Sequence, residues 1–319
     1  MSVGWAQAWW PHWARAAEPF LLVAREAGAV VGLAPLVRRR NGPLRVLGPV
    51  GVEPGDYWDV LAVPARRAAV AAAVADALRD EAGAWDAGIL RCLPPESPVA
   101  AATAALPALV QPPIPAPAIE LPGDFDAYLA GLSASHRQNL RRHLRRLDQG
   151  EVELIEVTDL EGLPEVVQRW QDFRRRQWEA AGRVIDPEHL SPRFAAFMLD
   201  CLRALVPRGN ALVWEFRRAD HVIGTYLNFV DEHAFHWYLG GFDPAVTRLG
   251  LGKIAIGHGI RTSIEAGRRR YDFGRGAEPY KYWYGAADRL LPARVVGSPS
   301  ARGRLGLLGA RAALRARRG

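Results

Sequence analysis

Acidic, basic and phenolic side chains cluster in one short stretch, Asp272-Phe-Gly-Arg-Gly-Ala-Glu-Pro-Tyr-Lys281, and Lys281 is one of only two lysines in the chain. A carboxylate can take a proton, a phenol can give one, and an ammonium group can stabilise an oxyanion. We predict Glu278 as the base, Tyr280 as the acid or donor, and Lys281 as the electrostatic stabiliser. The alternative is a structural Glu278–Lys281 pair beside packed aromatic residues.

The second lysine ends a glycine-rich turn between a predicted strand and a predicted helix, Arg248-Leu-Gly-Leu-Gly-Lys253. A helix N-terminus presents unpaired N–H groups and the positive end of a dipole, which suit a pyrophosphate. Glycines in such a turn let the backbone approach a ligand closely. The residues predicted to bind a phosphate-bearing cofactor are Arg248, Gly250, Leu251, Gly252 and Lys253.

A basic helix begins at Ser133 or Ser135 and carries leucines at helical spacing. Most of its arginines are expected to form a solvated face. The alternative is contact with a phosphate-bearing partner, whether CoA, a nucleotide-linked sugar or tRNA. Arg137 is the preferred ligand for an anion because it follows the N-cap closely, where the helix dipole favours negative charge.

Two further segments offer candidate ligands. In the loop around Asp56 and Tyr57, an acid beside aromatic rings could recognise an amine or a sugar, or the aromatic rings could simply anchor the loop. In the predicted strand Ala234–Leu239, period two places His236 and Tyr238 on the same face. A strand histidine is more often only hydrogen-bonded within the fold.

Proline residues between 107 and 122 mark a boundary, because such a stretch favours extended geometry and ends helices. We predict an N-terminal domain over residues 1–110, a linker over 111–122, a C-terminal domain over 123–298 and a basic tail over 299–319. The tail lacks the bulk to build a core. Its leucines could form a weak membrane-surface helix.

The two halves share an order of elements: a strand meander, then a helix, then another strand. Val30-Val31-Gly32 corresponds to Val222-Ile223-Gly224, and Trp85-Asp86 corresponds to Tyr271-Asp272. The matched order predicts a duplicated α/β domain.

This arrangement resembles the GNAT acyltransferases, and more closely the CelD-type acetyltransferases, relatives of the FemAB proteins. The segments that carry the resemblance are Gly32-Leu-Ala-Pro-Leu36, Gly55-Asp-Tyr57, Ser133–Arg146, Trp237-Tyr-Leu-Gly-Gly-Phe-Asp243 and Asp272–Lys281. The resemblance implies an α/β (α+β) fold of two tandem GNAT-like domains, each a mixed, mostly antiparallel sheet flanked by helices.

The resemblance also implies an acyltransferase that moves an acyl group, most simply acetyl, from acetyl-CoA or another acyl-CoA. The acceptor would be a small polar amine or alcohol, such as a sugar or cell-envelope precursor. The strand beside the thioester makes His236 a second base, with Asp56, Tyr57, Arg137, Tyr238 and Asp272 as substrate contacts. One departure is Thr247, which stands where the family's phosphate loop usually has Gln or Arg.

Two rival interpretations stay open: an aminoacyl-tRNA-dependent transferase and a non-catalytic GNAT binding module. Cysteine spacing, apolar runs and net charge also limit what kind of protein this can be. Cys92 and Cys201 have no metal-like spacing, and no metal is predicted. No apolar run is long enough to span a bilayer and no signal peptide is recognisable, so a cytoplasmic protein is expected. The net charge of +7 falls to about +1 without the six arginines of the tail, which argues against a general nucleic-acid groove.

Overall fold

The computed structural model describes residues 2–182, 184 and 186–316. The chain forms two compact units, Met1–Pro115 with Arg289–Gly319, and Ala116–Asp288. The helices are α1 (Val3–Trp13), α2 (Arg67–Asp80), α3 (Val99–Ala102), α4 (Phe125–Gly131), α5 (Ala134–Asp148), α6 (Leu163–Ala180), α7 (Pro192–Leu205), α8 (Leu251–Glu265), α9 (Pro279–Tyr282) and α10 (Ala301–Ala316). The strands are β1 (Ala17–Glu26), β2 (Ala29–Asn41), β3 (Leu44–Pro49), β4 (Leu61–Ala62), β5 (Ala87–Arg91), β6 (Ala108–Glu120), β7 (Glu153–Glu156), β8 (Ala211–Arg218), β9 (His221–Val230), β10 (Ala234–Phe242), β11 (Arg270–Asp272) and β12 (Ala287–Gly297).

The first unit is built on an antiparallel meander of β1, β2 and β3. Helix α2 follows, and β5 then pairs parallel with β3. The second unit repeats this plan: β8, β9 and β10 form an antiparallel meander, α8 follows, and β11 pairs parallel with β10. A parallel pair needs a crossover connection, which α2 and α8 supply.

The paired sequence motifs occupy matching places in the two units. Gly32 lies in β2 and Gly224 in β9, each the second strand of its meander. A Cβ at Gly32 would lie 2.4 Å from Val70 of α2, and one at Gly224 would lie 3.1 Å from Leu251 of α8. Each glycine therefore lets the crossover helix pack closely on the sheet. The predicted duplication is confirmed as a tandem repeat of one α/β plan.

The proline-rich segment predicted as a linker is instead strand β6. The fixed φ of proline is compatible with extended strand geometry. The proline-free end of the strand, Ala118–Glu120, supplies the N–H groups that pair antiparallel with β11. The chain passes from the first unit to the second within this strand, at Pro115–Ala116.

The predicted tail also differs from the structure, since α10 packs on the first unit. Arg302 Nε donates to Oδ1 of buried Asp86 at 3.0 Å. A Cβ at Gly303 would lie 2.0 Å from the Ser298 carbonyl oxygen. A Cβ at Gly306 would lie 3.3 Å from Ala87 of β5, so the glycines of α10 let its backbone approach the sheet closely.

In the second unit, α8 lies between the sheet and α5. A Cβ at Gly257 would meet Leu140 of α5 at 2.6 Å, and one at Gly259 would meet Tyr271 of β11 at 3.0 Å. Both faces of α8 are therefore buried, which explains its largely apolar sequence. Close packing on two sides fixes the position of its N-terminus.

Candidate active site

Strands β10 and β11 of the second unit are parallel and separate after a short paired segment. Strands β10 and β11 pair over three residues, and the last pair is His236 with Asp272. Strand β10 continues to Phe242 and bulges against β9 between Trp237 and Leu239. We call the opening beyond the last pair the fork. The unpaired edge of β10 can present backbone groups to an extended ligand there.

The turn before α8 is held from α5. Gly250 is the N-cap of α8 and has a φ of +70°, which favours glycine. A Cβ there would lie 2.5 Å from Cε1 of His143. Burial, followed by the charge of Lys253, lowers the pKa of His143 to about 4. The neutral ring can donate from Nδ1 to the Leu249 carbonyl oxygen at 3.2 Å.

Arg146, one turn further along α5, donates from Nη1 to the carbonyl oxygens of Arg248 and Leu249, at 3.1 and 2.6 Å. Both carbonyls are thus directed towards α5. The first backbone N–H groups of α8 lie at its N-terminus, where they and the helix dipole attract anions.

A buried hydroxyl lies beneath this N-terminus. Tyr226 of β9 is 2% exposed, and its Oη has no hydrogen-bond partner among the described residues. A Cβ at Gly252 would lie 3.9 Å from that oxygen. Buried hydroxyls normally find a partner, so the Tyr226 hydroxyl can serve a ligand bound at this helix N-terminus.

A pocket of about 190 Å³ adjoins the first turn of α8. The rings of His136 and Trp283 stack beside it with centroids 6.4 Å apart and planes inclined by 30°. The residues lining the pocket are Leu132, His136, Asn139, Leu140, Lys253, Trp283 and Tyr284. The pocket thus combines an aromatic stack, a carboxamide and an ammonium group.

Comparison with known families explains this geometry. The family model described as "Acetyltransferase (GNAT) domain" matches residues 134–282, which run from α5 to α9. Residues 134–282, just under half of the chain, are therefore similar in sequence to a GNAT domain, and we refer to them by that name. No curated protein matches the chain.

Solved structures show the same fold over nearly the whole chain. FemX superimposes with a TM-score of 0.63 at 12% identity, over 91% of this chain and 90% of that one. L-PGS from Bacillus licheniformis gives 0.59 at 10% identity, over 96% of both chains. The C-terminal domain of a putative lysylphosphatidylglycerol synthetase from Agrobacterium fabrum gives 0.56 at 11%, over 96% and 95%. At these identities the likeness establishes the fold alone: tandem GNAT-like units with mixed, mostly antiparallel strand pairing.

Lys281 of the GNAT domain holds a loop together. Its side chain is 3% exposed, and its Nζ lies 2.8 Å from Glu278 Oε2. The ammonium also donates to the carbonyl oxygens of Gly274, Arg275 and Gly276, at 3.3, 2.9 and 2.9 Å. These acceptors satisfy the ammonium, so the geometry favours the alternative of a structural Glu278–Lys281 pair, and the oxyanion role of Lys281 stays a prediction. Glu278 pairs with Lys281 and is half-exposed, and its role as the base also stays a prediction.

Tyr280 is placed at the fork. The Trp237 side chain hydrogen-bonds to its phenol, and Phe273 packs against its ring. Burial, followed by the charge of Glu278, raises the pKa of Tyr280 to about 12, although Trp237 and Arg174 oppose the shift. The hydroxyl therefore stays protonated at neutral pH, as a hydrogen-bond donor must.

His236 and Asp272 share a sheet face because they are directly paired. His236 Nε2 lies 3.0 Å from Oδ2 of Asp231. Desolvation raises the pKa of Asp231, but the hydrogen bond and charge of His236 outweigh it and hold that pKa well below its usual range. Asp272 is 1% exposed and accepts from the Gly274 amide at 2.8 Å, so it closes the turn after β11.

The other residues predicted to contact the substrate are not brought together in one place. Arg137 donates to the carbonyl oxygens of Leu129 and Ala130 at the end of α4, and it does not line the pocket. Tyr238 lies at the β10 bulge, with its ring 5.3 Å from that of Phe229.

Asp56 and Tyr57 belong to the first unit and are half-buried. Among the described residues, no group of His, Cys, Asp or Glu is arranged to hold a metal. No described helix is long and apolar enough to cross a membrane.

Several residues of the site escaped the sequence analysis. His136 and Asn139 lie on the helix from which Arg137 was selected, and the stacked pair His136–Trp283 joins distant segments. Helical spacing places positions 136, 139 and 140 on one face of α5 and would have separated them from Arg137.

Proposed function

We propose that the GNAT domain transfers an acyl group, most simply acetyl, from acyl-CoA to an amine or hydroxyl of a small polar acceptor. A sugar or cell-envelope precursor is the acceptor class we favour. The observation that carries the proposal is the fork, at which the Tyr280 phenol meets the Trp237 side chain beyond the last β10–β11 pair.

The residues at α8 fit a phosphate-bearing acyl carrier. Gly252 leaves the backbone of the first turn open, whereas Gly250 lets the turn pack closely against His143; Lys253 adds a positive charge beside the turn. The buried Tyr226 hydroxyl can donate a hydrogen bond to a ligand beneath the same turn. Thr247, the residue that departs from the family pattern, donates to the Pro244 carbonyl oxygen at 2.6 Å and shapes the turn.

The pocket beside Lys253 fits the adenine nucleotide end of such a carrier. An adenine ring can stack on Trp283 and His136, and the Asn139 carboxamide can pair with its edge. The ammonium of Lys253 would hold a phosphate of the same group. Arg248 is exposed and does not line this pocket.

The chemistry at the fork needs one proton removed and one supplied. The acceptor nitrogen or oxygen bonds to the acyl carbon, the C–S bond breaks, and the departing thiolate takes a proton. We assign Tyr280 as the hydrogen-bond donor to the departing sulfur, because its pKa of about 12 keeps the phenol protonated, and the thiolate takes its proton from solvent.

His236 is the proposed base for the acceptor proton. In its neutral form, Nε2–H donates to Asp231, which leaves Nδ1 as the basic nitrogen. Its sheet face is opposite that of Trp237, since neighbouring strand residues alternate in direction. The acceptor would thus approach from one face of the sheet and Tyr280 would act from the other. We place the reaction in a reducing cytoplasm, which Cys92 and Cys201 support because these buried cysteines form no disulfide.

Calorimetry with acetyl-CoA tests the proposal. We expect binding that Lys253→Met weakens about tenfold or more, with Arg248→Met as the matched control and little changed. Gly250 is unsuitable for this test, because a side chain there would collide with His143. No binding of any acyl-CoA by the folded protein would refute the CoA assignment.

A second candidate is an RNA-borne acyl donor, which the exposed arginines of α5 favour. Arg142 and Arg145 are exposed, while Arg141 makes only a long ion pair of 3.6 Å with exposed Asp126. A tRNA would be held by such charges with strong salt dependence. Gel shifts with tRNA at low and high salt, using Arg142→Gln with Arg145→Gln, distinguish it from the CoA assignment.

A further inference from the structure

Helix α10 presents two different sides. Its inner side, at Gly303 and Gly306, meets the segments around Ser298 and Ala87. Leu305 and Leu308, by contrast, are 62% and 61% exposed. At 100° per residue, positions 304, 305, 308, 311 and 312 form one continuous outer face. A helix anchored by glycines therefore directs two of its leucines, Leu305 and Leu308, into solvent.

The same outer face carries positive charge. Arg304 and Arg311 are exposed and flank Leu308 on one side, and Leu305 lies on the other. The sequence from 301 to 319 contains six arginines and no acidic residue. Among the described residues of this helix, Arg302 is the one committed to an internal carboxylate, Asp86. Apolar side chains bordered by arginines are typical of helices that lie on a membrane surface.

The side chains that hold α10 on the first unit, Asp86 with Arg45 and Arg302, carry a net positive charge. Asp86 carries one negative charge and is paired with both Arg45 and Arg302. Arg302 also contacts the turn of the β2–β3 hairpin at the Pro43 carbonyl oxygen. Arg40 and Arg45 face each other across that hairpin, and Arg40 is exposed. Positive charge thus continues from the helix onto the sheet beside it.

We propose that the outer face of α10 binds the surface of an anionic lipid bilayer, with Leu305 and Leu308 entering the headgroup region and Arg304 and Arg311 contacting lipid phosphates. The positive charge of this face complements anionic lipid phosphates. A second copy of the chain is a poorer partner, because two such positive faces would repel each other. Each arginine near an anionic surface contributes about a factor of five in binding, corresponding to about 1 kcal/mol. The proposal is independent of the acyl-transfer assignment.

Co-sedimentation of the full-length protein with vesicles tests this surface. We expect binding to phosphatidylcholine vesicles that contain about a third phosphatidylglycerol, and at least about tenfold weaker binding to phosphatidylcholine alone or at high salt. Arg304→Gln with Arg311→Gln should weaken binding about tenfold or more. Leu305→Ser with Leu308→Ser should also weaken it. These four side chains avoid the Asp86 anchor, and thermal melting confirms that each variant is folded.

The matched control is Leu21→Ser with Val23→Ser, because these residues of β1 are 51% and 48% exposed in the same unit. They should leave vesicle binding unchanged. Equal binding to neutral and anionic vesicles, or full binding by the α10 variants, would overturn the proposal. So would a concentration-dependent dimer that the leucine variants abolish, because it would assign the face to a second copy.

Discussion

The ammonium of Lys281 lies 2.8 Å from Oε2 of Glu278 and donates to three carbonyl oxygens of the loop after β11. That loop leads directly to Tyr280 at the start of α9. Lysine suits this position because its compact head has three donors, whereas the planar fork of arginine cannot converge on carbonyls in the same way. Lys281 is therefore suited to a structural role in the loop that carries Tyr280.

Lys281→Met should destabilise the fold. The variant leaves three carbonyls without their donor and Glu278 without its partner, so we expect a loss of about 2–4 kcal/mol in the free energy of unfolding. Chemical denaturation measures it. Glu278→Gln is the control and should cost much less, because that carboxylate is half-exposed. An inactive Lys281→Met with wild-type stability would support the catalytic assignment.

Tyr280→Phe should lower turnover about a hundredfold and leave acyl-CoA affinity nearly unchanged, because only the hydrogen-bond donor to the departing sulfur is removed. Since the pKa of Tyr280 is about 12, its acid form persists across the neutral range. Its deprotonation should therefore cause no loss of rate below about pH 10. Tyr282→Phe is the matched control, as Tyr282 is exposed and bonds to Asp288. Equal turnover in both variants would remove Tyr280 from the chemistry.

The order of elements in this fold was predictable from sequence, because periodicity and turn residues report local structure. The meanders, α2, α5 and α8 all form where those patterns indicate, and Ser133 caps α5 as expected. The errors at β6 and α10 have one cause. Proline suggests a linker, and a lack of bulky residues suggests a separate tail, whereas here proline permits an extended strand and small residues permit a close helix contact.

The site was less predictable, because residue type does not reveal burial. Lys281 and Asp272 have chemically useful side chains, but loop groups beside them satisfy both. The stack of His136 on Trp283 joins positions 147 residues apart, a contact that no local pattern encodes.

His143 should make the protein less stable in mild acid. Its folded pKa of about 4 lies below the value of about 6.5 for an unfolded histidine. Between these values only the unfolded state binds the proton, so stability falls as the pH drops from about 6.5 towards 4. The loss reaches up to about 3 kcal/mol. Denaturation of His143→Gln over this range should show a shallower pH dependence. Exposed His136→Gln serves as the control and should keep the wild-type slope.

Removal of α10 should destabilise the first unit. Arg302 donates to Asp86, whose carboxylate is completely buried. The hydrogen bond from Arg45 lowers the pKa of Asp86 most strongly, burial opposes it, and Arg302 lowers it further, so the pKa stays well below its usual range. The stability that this lowered pKa provides is fully present above about pH 3.9, the pKa of an aspartate in the unfolded chain. It is lost as the pH falls further and Asp86 becomes protonated.

Arg302→Ala is the milder test of this anchor. We expect a loss of about 1–2 kcal/mol at neutral pH, reduced because the guanidinium is half-exposed and Arg45 remains. Arg311→Ala, on the outer face of the same helix, should leave the melting temperature unchanged. Equal melting of wild type, Arg302→Ala and a chain ending at Ser300 would show that α10 contributes nothing to the fold.

Trp283 should recognise the base of the acyl carrier. It is 49% exposed yet stacked on His136 beside the pocket that Lys253 lines. Loss of a stacked base costs about 1–3 kcal/mol, so Trp283→Ala should weaken binding of acetyl-CoA and of adenosine 3′,5′-bisphosphate about tenfold. Acetyl-pantetheine has no base, and its binding should not change. Tyr282→Ala controls for loss of a neighbouring exposed ring. An equal loss for acetyl-pantetheine would mean that Trp283 supports the pocket without contacting the base.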